Sequence, residues 1–429
     1  DSAYKQQEGI RYNARDLAVV LARFASCPII LGSATPSSES YANGRQSRYR
    51  MLQLSRRVQE REFARAEIID LRQHPPGSAV TPPSSAITQR IAGADAPVSD
   101  QIPLSPPLIE ALRENLGSKG QSLVFLNRRG YHNFLQCRYC GNVITCTNCS
   151  VSMTFHLRGR TLRCHYCGAS EPAPDKCFEC SAFGLEGQGY GTERLVHALS
   201  VLFPAARIER MDSDTSGRRG ARSAILRGVR SGDVDILVGT QMITKGFDFH
   251  NVTLVAVVLA DLSLNIPDFR SAERTFQLLT QAAGRAGRGE RPGRVLIQTF
   301  APHHYSVRAA AGQDYTRFIR RELELRRELM YPPFARMALV RIEGNESTTV
   351  GEEAARIAAL LSTAAKPETL RVLGPAPAPI ERIKHRYRWQ VLVKSRERQE
   401  LRSALAPITT FTARDGIRVS IDIDPVNML

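Results

Sequence analysis

The apolar positions of this chain fall into two kinds of segment that alternate along most of its length. Short apolar runs of strand length stand between stretches whose apolar residues recur every three or four positions, the spacing of one helix face. Leu17 to Phe24 has the helical spacing. Cys27-Pro-Ile-Ile-Leu31 is an apolar run suited to a buried parallel strand, which would make Cys27 ordinary core. Gln121 to Leu126 predicts the next strand, closing on Asn127-Arg-Arg-Gly-Tyr131. Further on come a helix over Thr192 to Phe203, a strand over Ala206 to Met211 and a helix over Gly217 to Arg230. Val234 to Val238 and Thr253 to Ala260 read as strands. The helical run Phe276-Gln-Leu-Leu-Thr280 then precedes a strand over Arg294 to Phe300. Repeated βαβ units imply a parallel sheet with helices on both faces.

The alternation breaks in two places. Gln73 to Pro107 is rich in Pro, Ser, Ala and Gly, the composition of a linker with an exposed insertion. After Tyr331-Pro-Pro-Phe334 the order becomes strand (Ala335 to Ile342), amphipathic helix (Thr349 to Ala365) and two strands (Leu370 to Leu373, Trp389 to Val393). A helix (Glu397 to Leu405) and a strand (Ile417 to Ile423) complete it. That βαββαβ order is the ferredoxin-like split motif. The expected organisation is the end of a first lobe over residues 1–60 and a linker over 61–107. A second α/β lobe over 108–330, with a cysteine-rich insertion at 134–183, and an α+β domain over 331–429 follow.

A length of 429 residues suits two or three domains. Lys and Arg number 58 against 42 Asp and Glu, a net charge of +16, and a chain this basic is expected to meet a polyanion, nucleic acid first. No apolar run approaches the roughly 20 residues of a spanning helix and no signal peptide is evident, so a membrane partner is not expected and the expected location is the cytoplasm. Asp1-Ser-Ala-Tyr-Lys reads as the middle of something longer. Arg382, Lys384, His385, Arg386 and Arg388 cluster beside Tyr387 and Trp389 in a loop or hairpin. Cations interleaved with aromatics suit single-stranded nucleic acid, with Arg386, Arg388 and Trp389 as the contacts; a solvated hairpin explains them equally well.

Eight of the nine cysteines form four Cys-x-x-Cys pairs: Cys137/Cys140, Cys146/Cys149, Cys164/Cys167 and Cys177/Cys180. A zinc ion takes four ligands in a tetrahedron, and each such turn supplies two. Redox disulfides are the alternative. Val151 to Phe155, a turn at Arg158-Gly159 and Thr161 to Arg163 predict a hairpin between the second and third pairs, which would bring them together. Cys146, Cys149, Cys164 and Cys167 should then form an inner site, and Cys137, Cys140, Cys177 and Cys180 an outer one. His156 and His165 are not needed as ligands. Such closed sites are structural, since no coordination position stays open. The module should project from the lobe, as a wedge or as a docking platform.

Gln281-Ala-Ala-Gly-Arg-Ala-Gly-Arg288 sets two arginines three residues apart among small residues. Arginine suits a phosphate that gains charge in a transition state, because its planar fork donates two parallel bonds and stays protonated. A Gly/Arg-rich surface loop is the bland reading. Gly32-Ser-Ala-Thr-Pro36 is a polar turn after an apolar run, equally explained by a helix cap at Ser37.

These stretches together resemble the replication-restart DNA helicases of the primosomal protein N′ family, in superfamily 2, over the whole chain. Gly32 to Ser37 looks like that family's motif III, Asp235 to Asp248 its motif V, and Gln281 to Arg288 its motif VI. The paired cysteines lie between motifs III and V, as in that family, and Asp424-Pro-Val-Asn-Met-Leu429 resembles its C-terminal end. The resemblance implies a RecA-like lobe and ATP-driven 3′ to 5′ unwinding of DNA at abandoned forks, with loading of the replicative helicase there. It implies ATP with magnesium as substrate and DNA forks, single-stranded DNA, primosome proteins and single-stranded-DNA-binding protein as partners, the chain itself being a monomer. Carried over, Arg285 and Arg288 would reach the γ-phosphate. Gly246, Asp248 and Gln281 would line the nucleotide cleft, Thr240 would touch the DNA backbone, and Ser33 and Thr35 would couple the two. No Gly-x-x-x-x-Gly-Lys-Ser/Thr and no Asp-Glu-x-His occurs in the sequence, so this chain alone is expected to be inactive as an ATPase. Two rival readings are a zinc-dependent DNA-binding scaffold without ATPase activity and a different superfamily 2 translocase.

Overall fold

The computed structural model describes residues 4–6, 11–54, 64–76, 104–126, 134–156, 159–187, 191–212, 220–244, 249–287, 289, 291–363 and 369–428. Helices α1 (Ala14–Phe24) and α2 (Ser38–Arg45) come first, then β1 (Arg65–Asp70), α3 (Pro106–Gly117) and β2 (Gln121–Phe125). Five short strands belong to the cysteine module: β3 (Leu135–Cys137), β4 (Thr154–His156), β5 (Thr161–Arg163), β6 (Ser170–Pro172) and β7 (Leu185–Gly187). The alternation then resumes with α4 (Thr192–Leu202), β8 (Ile208–Met211), α5 (Ala221–Ser231), β9 (Ile236–Gly239), α6 (Gln241–Thr244) and β10 (Val252–Val257). After these come α7 (Asp261–Leu264), α8 (Ser271–Ala283), β11 (Arg294–Thr299), α9 (Tyr305–Ala311) and α10 (Tyr315–Glu328). The last part holds β12 (Arg336–Gly344), α11 (Ser347–Thr363), β13 (Leu370–Ile383), β14 (Arg386–Ser395), α12 (Arg398–Thr409) and β15 (Arg418–Ile423).

The expected parallel sheet is present, with six strands in the order β1-β11-β10-β2-β9-β8 and every pairing parallel. Its central strands β2, β9, β10 and β11 are largely apolar on both faces, as a sheet covered twice requires. On one side Phe125, Val255 and Ile297 pack against Phe276 and Leu279 of α8 and Phe318 of α10. On the other, Val124, Ala256 and Leu296 meet Leu108 and Leu112 of α3 and Leu195 and Leu199 of α4. The last part forms a four-stranded antiparallel sheet ordered β13-β14-β12-β15, the ferredoxin-like arrangement expected from its βαββαβ order.

Four expectations need correction. Residues 27–31 form no strand: Cys27 is exposed and Ile30 is 89% exposed, because no described strand lies beside them to accept their hydrogen bonds. The stretch read as linker contains β1, which pairs with β11 from Arg65↔Arg294 to Asp70↔Thr299 and forms the edge of the sheet. Only two of its six residues, Ile68 and Ile69, are large and apolar, too few for a strand to stand out by pattern; the remainder of that stretch, 77–103, lies outside the described residues. The two middle strands of the last domain run on to Ile383 and back from Arg386 as one long hairpin. Finally, the cysteine module does not project freely. Its Met153, Leu162, Cys164 and Tyr166 share one core with Tyr331, Met337, Leu339 and Leu392 of the C-terminal domain. Among the described residues, no helix is long and apolar enough to cross a membrane.

Candidate functional site: two four-sulphur centres and an arginine-bearing helix

Each Cys-x-x-Cys pair folds into the same knuckle. The N–H four residues after the first cysteine donates back to its carbonyl: Gly141 to Cys137 at 2.8 Å, Ser150 to Cys146 at 2.8 Å, Gly168 to Cys164 at 2.9 Å and Ser181 to Cys177 at 2.9 Å. The donor residue takes positive φ in all four, 77°, 52°, 81° and 59°. Glycine serves this conformation twice, and those two glycines meet a second demand. A Cβ on Gly141 would strike the carbonyl of Phe300, and one on Gly168 the carbonyl of Pro375.

The pairing follows the hairpin argument. Cys146, Cys149, Cys164 and Cys167 converge, as do Cys137, Cys140, Cys177 and Cys180, with the sulphurs of each set within 4.8 Å of one another. β4 and β5 pair antiparallel between the inner knuckles. Sulphur separations of 3.6 Å occur at Cys137–Cys180, Cys140–Cys177 and Cys146–Cys167. A disulfide needs about 2.05 Å. A tetrahedron of roughly 2.3 Å zinc–sulphur bonds has edges of roughly 3.8 Å, so both clusters fit a zinc ion. His165 is engaged elsewhere, its Nδ1 2.8 Å from the carbonyl of Pro377.

The outer centre is fastened to the carboxyl end of the parallel sheet. Gln136, next to Cys137, donates to Asp261 at 2.9 Å, and Asp261 also accepts the N–H of Phe300 at 3.1 Å. Burial raises the pKa of Asp261 against those hydrogen bonds. The inner centre is fastened to the C-terminal domain, where the hydroxyl of Tyr331 donates to the carbonyl of Cys149 at 3.0 Å.

The arginine segment lies just past the end of α8. Arg285 is half-buried, and its N–H donates to Ala282 at 3.0 Å. The Gly287 N–H donates to Val252 at the start of β10 at 3.1 Å, and the backbone of Gly289 lies against His250. Residues 281–287 and Gly289 therefore adjoin segment 249–252. Gly246, Asp248 and Arg288 lie outside the described residues. Gln281 is exposed, and Thr240 is buried at the carboxyl end of β9. Ser33 is exposed and its Oγ accepts the N–H of Thr35 at 3.1 Å. Ser37 caps α2 as the bland reading of that turn expected, accepting from Ser40 at 3.3 Å. Both the cap and the Ser33–Thr35 turn are thus present in one segment, and that segment is brought to α8: Gln277 donates to the carbonyl of Thr35 at 3.4 Å.

The basic hairpin exists, but two of its expected contacts turn inward. Lys384 and His385 form its two-residue turn, with φ of 48° and 64°. Arg388 is 6% exposed and donates to Glu343 at 3.3 Å, and the Trp389 ring packs over Gly351 of α11. The two point to opposite faces of β14, and both faces are covered: Trp389, Val391 and Val393 face the helices, whereas Arg388 shares the other face with Gln390 and Leu392, which meet the cysteine module. Arg386 is half-buried and donates to the carbonyls of Glu343 and Gly416, both at 3.1 Å. Of the hairpin's basic side chains, Arg382, Lys384 and His385 are exposed.

A buried charge cluster joining α2, α8 and α10 escaped the sequence reading. Arg326, 2% exposed, donates to Glu273 at 2.6 Å, Glu322 at 2.7 Å, Glu39 at 3.3 Å and the carbonyl of Pro332 at 3.0 Å. Arg270 also donates to Glu39, and both guanidiniums stack over Phe269. Phe269 in turn stacks on Tyr331 at 4.5 Å. Burial works to raise the pKa of Glu39, but Arg270 and Arg326 bring it from 4.5 down to about 2. A carboxylate depressed in this way stabilises the fold fully above its unfolded pKa and less as pH falls toward the folded one. Unfolding free energy is therefore expected to drop between about pH 4.5 and pH 2, by up to about 3 kcal/mol from this group. Denaturation in urea across that range, compared with Glu39→Gln, measures it: the variant should show a flatter acid limb.

A six-stranded parallel lobe with a glycine–arginine segment after α8 has the architecture of a helicase motor lobe, and the Helicase conserved C-terminal domain family matches residues 192–290. The PriA DNA helicase Cys-rich region (CRR) domain matches residues 146–172, and the Primosomal protein N C-terminal domain matches residues 327–426. The chain is 41% identical over 433 residues to replication restart protein PriA of Bacillus subtilis, covering 100% of this chain and 51% of that relative. To the PriA of Haemophilus influenzae it is 37% identical over 431 residues, covering 100% of this chain and 56% of that one. The chain belongs to the PriA family of replication restart helicases, and it spans about half the length of the curated relatives it matches.

Proposed function

We propose that this chain is the arginine-bearing part of an ATP-dependent DNA helicase that unwinds abandoned replication forks 3′ to 5′ and promotes loading of the replicative helicase. The observation carrying the reading is that Arg285 stands two residues past the end of α8 while Gln277 of that helix holds the Thr35 turn. Arg285 and Arg288 supply the forked donors for the γ-phosphate. Gly246, Asp248 and Gln281 border the nucleotide, Ser33 and Thr35 relay its state, and Thr240 meets the DNA backbone. ATP and magnesium are held by the rest of the full-length protein. Primosome proteins and single-stranded-DNA-binding protein are its partners in the cytoplasm, and residues 1–60, 108–330 and 331–429 act as the end of one motor lobe, the second lobe and a DNA- or partner-binding domain. The test is unwinding by the full-length protein of forks bearing a single-stranded arm of one polarity. Separation is expected with a 3′ arm only, and equal unwinding from a 5′ arm would refute the polarity.

The C-terminal hairpin supplies DNA contacts through its exposed tip. Lys384→Ala and Arg382→Ala should each weaken DNA binding irrespective of sequence and reduce the slope of log affinity against log salt by about 1. Arg388→Ala should instead lower the thermal midpoint, because it leaves the buried Glu343 contact unmade. Titrations of fluorescent single-stranded DNA at three salt concentrations separate the two outcomes.

A further inference from the structure

Where the cysteine module meets the C-terminal hairpin, the two leave a cavity of about 400 Å³. Its walls include Tyr387 and Trp389 of β14 and Pro375 and Pro377 of β13, with Arg163 of β5 and Glu381 beside them. Strand register explains the opening. β13 pairs with β14 at Pro377↔Trp389 and again at Arg382↔Tyr387, so residues 378–381 stand opposite Arg388 alone. The surplus residues make β13 bow away from its partner there. The walls are held across the seam by three contacts. Arg163 donates to Glu381 at 3.2 Å, Gln390 donates to the His165 carbonyl at 2.7 Å, and His165 Nδ1 lies 2.8 Å from the Pro377 carbonyl. Neither the Tyr387 hydroxyl nor the Trp389 indole N–H has a hydrogen-bond partner among the described residues.

Aromatic rings beside prolines suit a flat apolar solute, and Arg163 with Glu381 offers a donor and an acceptor at its edge. The carboxylate in the wall repels a phosphate, so the occupant is uncharged. A nucleobase is flat, uncharged and edged with donors and acceptors. The phosphates of the same strand have cations close by, outside the cavity. Arg382 stacks over the Tyr387 ring at 5.0 Å, and Lys384 and His385 form the turn beyond it. We propose that this cavity takes one unstacked base of single-stranded DNA while the neighbouring phosphates run over the exposed tip of the hairpin. The inference rests on the reading of that tip as a DNA contact, and it adds what the contact selects. A base in a duplex is stacked and paired and cannot enter, so the cavity favours single strands. Every base has a π-face, so it does so without regard to sequence.

Trp389 is the only tryptophan of this chain, so its fluorescence reads the cavity directly. Two strands of equal length and charge are titrated in, an oligothymidylate and an abasic sugar–phosphate chain, with binding followed separately by anisotropy of a labelled end. The oligothymidylate should quench Trp389 to saturation, and the abasic chain should bind through the tip and leave the emission unchanged. Tyr387→Leu should weaken oligothymidylate binding by about 5- to 150-fold, the loss of one stacked base, while Tyr387→Phe stays near normal. Neither variant should alter binding of the abasic chain. Unchanged Trp389 emission with the oligothymidylate bound overturns the base site and leaves the tip reading standing, and equal quenching by the abasic chain does the same. Normal affinity of Arg382→Ala and Lys384→Ala for both strands overturns the tip reading and this inference with it. Where Tyr387→Leu gives no folded protein, the two strands on the unaltered chain carry the test.

Discussion

Cys164→Ser is expected to lose one of two bound zinc ions and to unfold the C-terminal domain along with the ribbon. A structural four-sulphur zinc contributes on the order of 10–16 kcal/mol of folding free energy in isolated fingers, comparable to or larger than the whole stability of a typical domain. Losing a ligand cannot remain local here. Cys146, Cys149 and Cys164 are buried in the same cluster as Tyr331, Met337, Leu339 and Leu392. Cys146→Ser should therefore match Cys164→Ser in zinc content and in the early melting of the C-terminal sheet. Cys177→Ser also loses one zinc, but its knuckle lies outside that cluster and its centre is tied to Asp261 and Phe300 at the end of the parallel sheet. Its C-terminal domain should melt normally. Metal analysis with melting followed by Tyr absorbance decides this. If Cys146→Ser behaves like Cys177→Ser and unlike Cys164→Ser, the pairing is wrong.

The second large effect is expected at the arginines. In the full-length protein, removing a finger arginine costs about 10³ to 10⁵ in turnover, since the developing charge loses its bidentate donor. Lysine keeps the charge without the fork, so Arg288→Lys should be nearly as poor as Arg288→Ala. Fork affinity should survive in both, because binding is spread over many cations of a chain with net charge +16. This chain by itself should hydrolyse no ATP. Measuring DNA-stimulated ATPase and fork affinity side by side gives two ways to fail. Normal turnover in Arg285→Ala and Arg288→Ala removes the phosphate role, and lost affinity with intact turnover moves both residues to the DNA.

Much of the architecture was legible because its signals are local. The knuckles need only two cysteines and a positive φ, and the hairpin joining the inner pair lies between them in sequence. The six-stranded sheet was read nearly whole because its central strands are apolar on both faces. Its edge strand β1 was missed because an edge carries few apolar residues, and residues 27–31 misled because apolar character without a neighbouring strand does not make one. Arg388 and Trp389 were placed at a surface by their company, although β14 is covered on both faces, by helices on one and by the cysteine module on the other. The cluster around Arg326 left a signal that went unread. Glu273 precedes Phe276 by three residues, and Glu322 and Arg326 follow Phe318 at intervals of four, so charges interrupt apolar stripes at positions that face the core. Which distant partners those charges meet depends on tertiary folding alone.

The core shared by the ribbon and the last domain also limits how such a chain can be rearranged in evolution. The ribbon is inserted between β2 and α4 of the motor lobe, yet a third of the buried cluster around its inner centre arrives more than 150 residues later, from Tyr331 onward. A recombination event that copied the insertion into another motor would carry Leu162 and Tyr166 into water, and one that deleted it would uncover Leu339 and Leu392. The two segments must therefore be inherited and must diverge as a pair, with a size change on one side answered across the interface on the other.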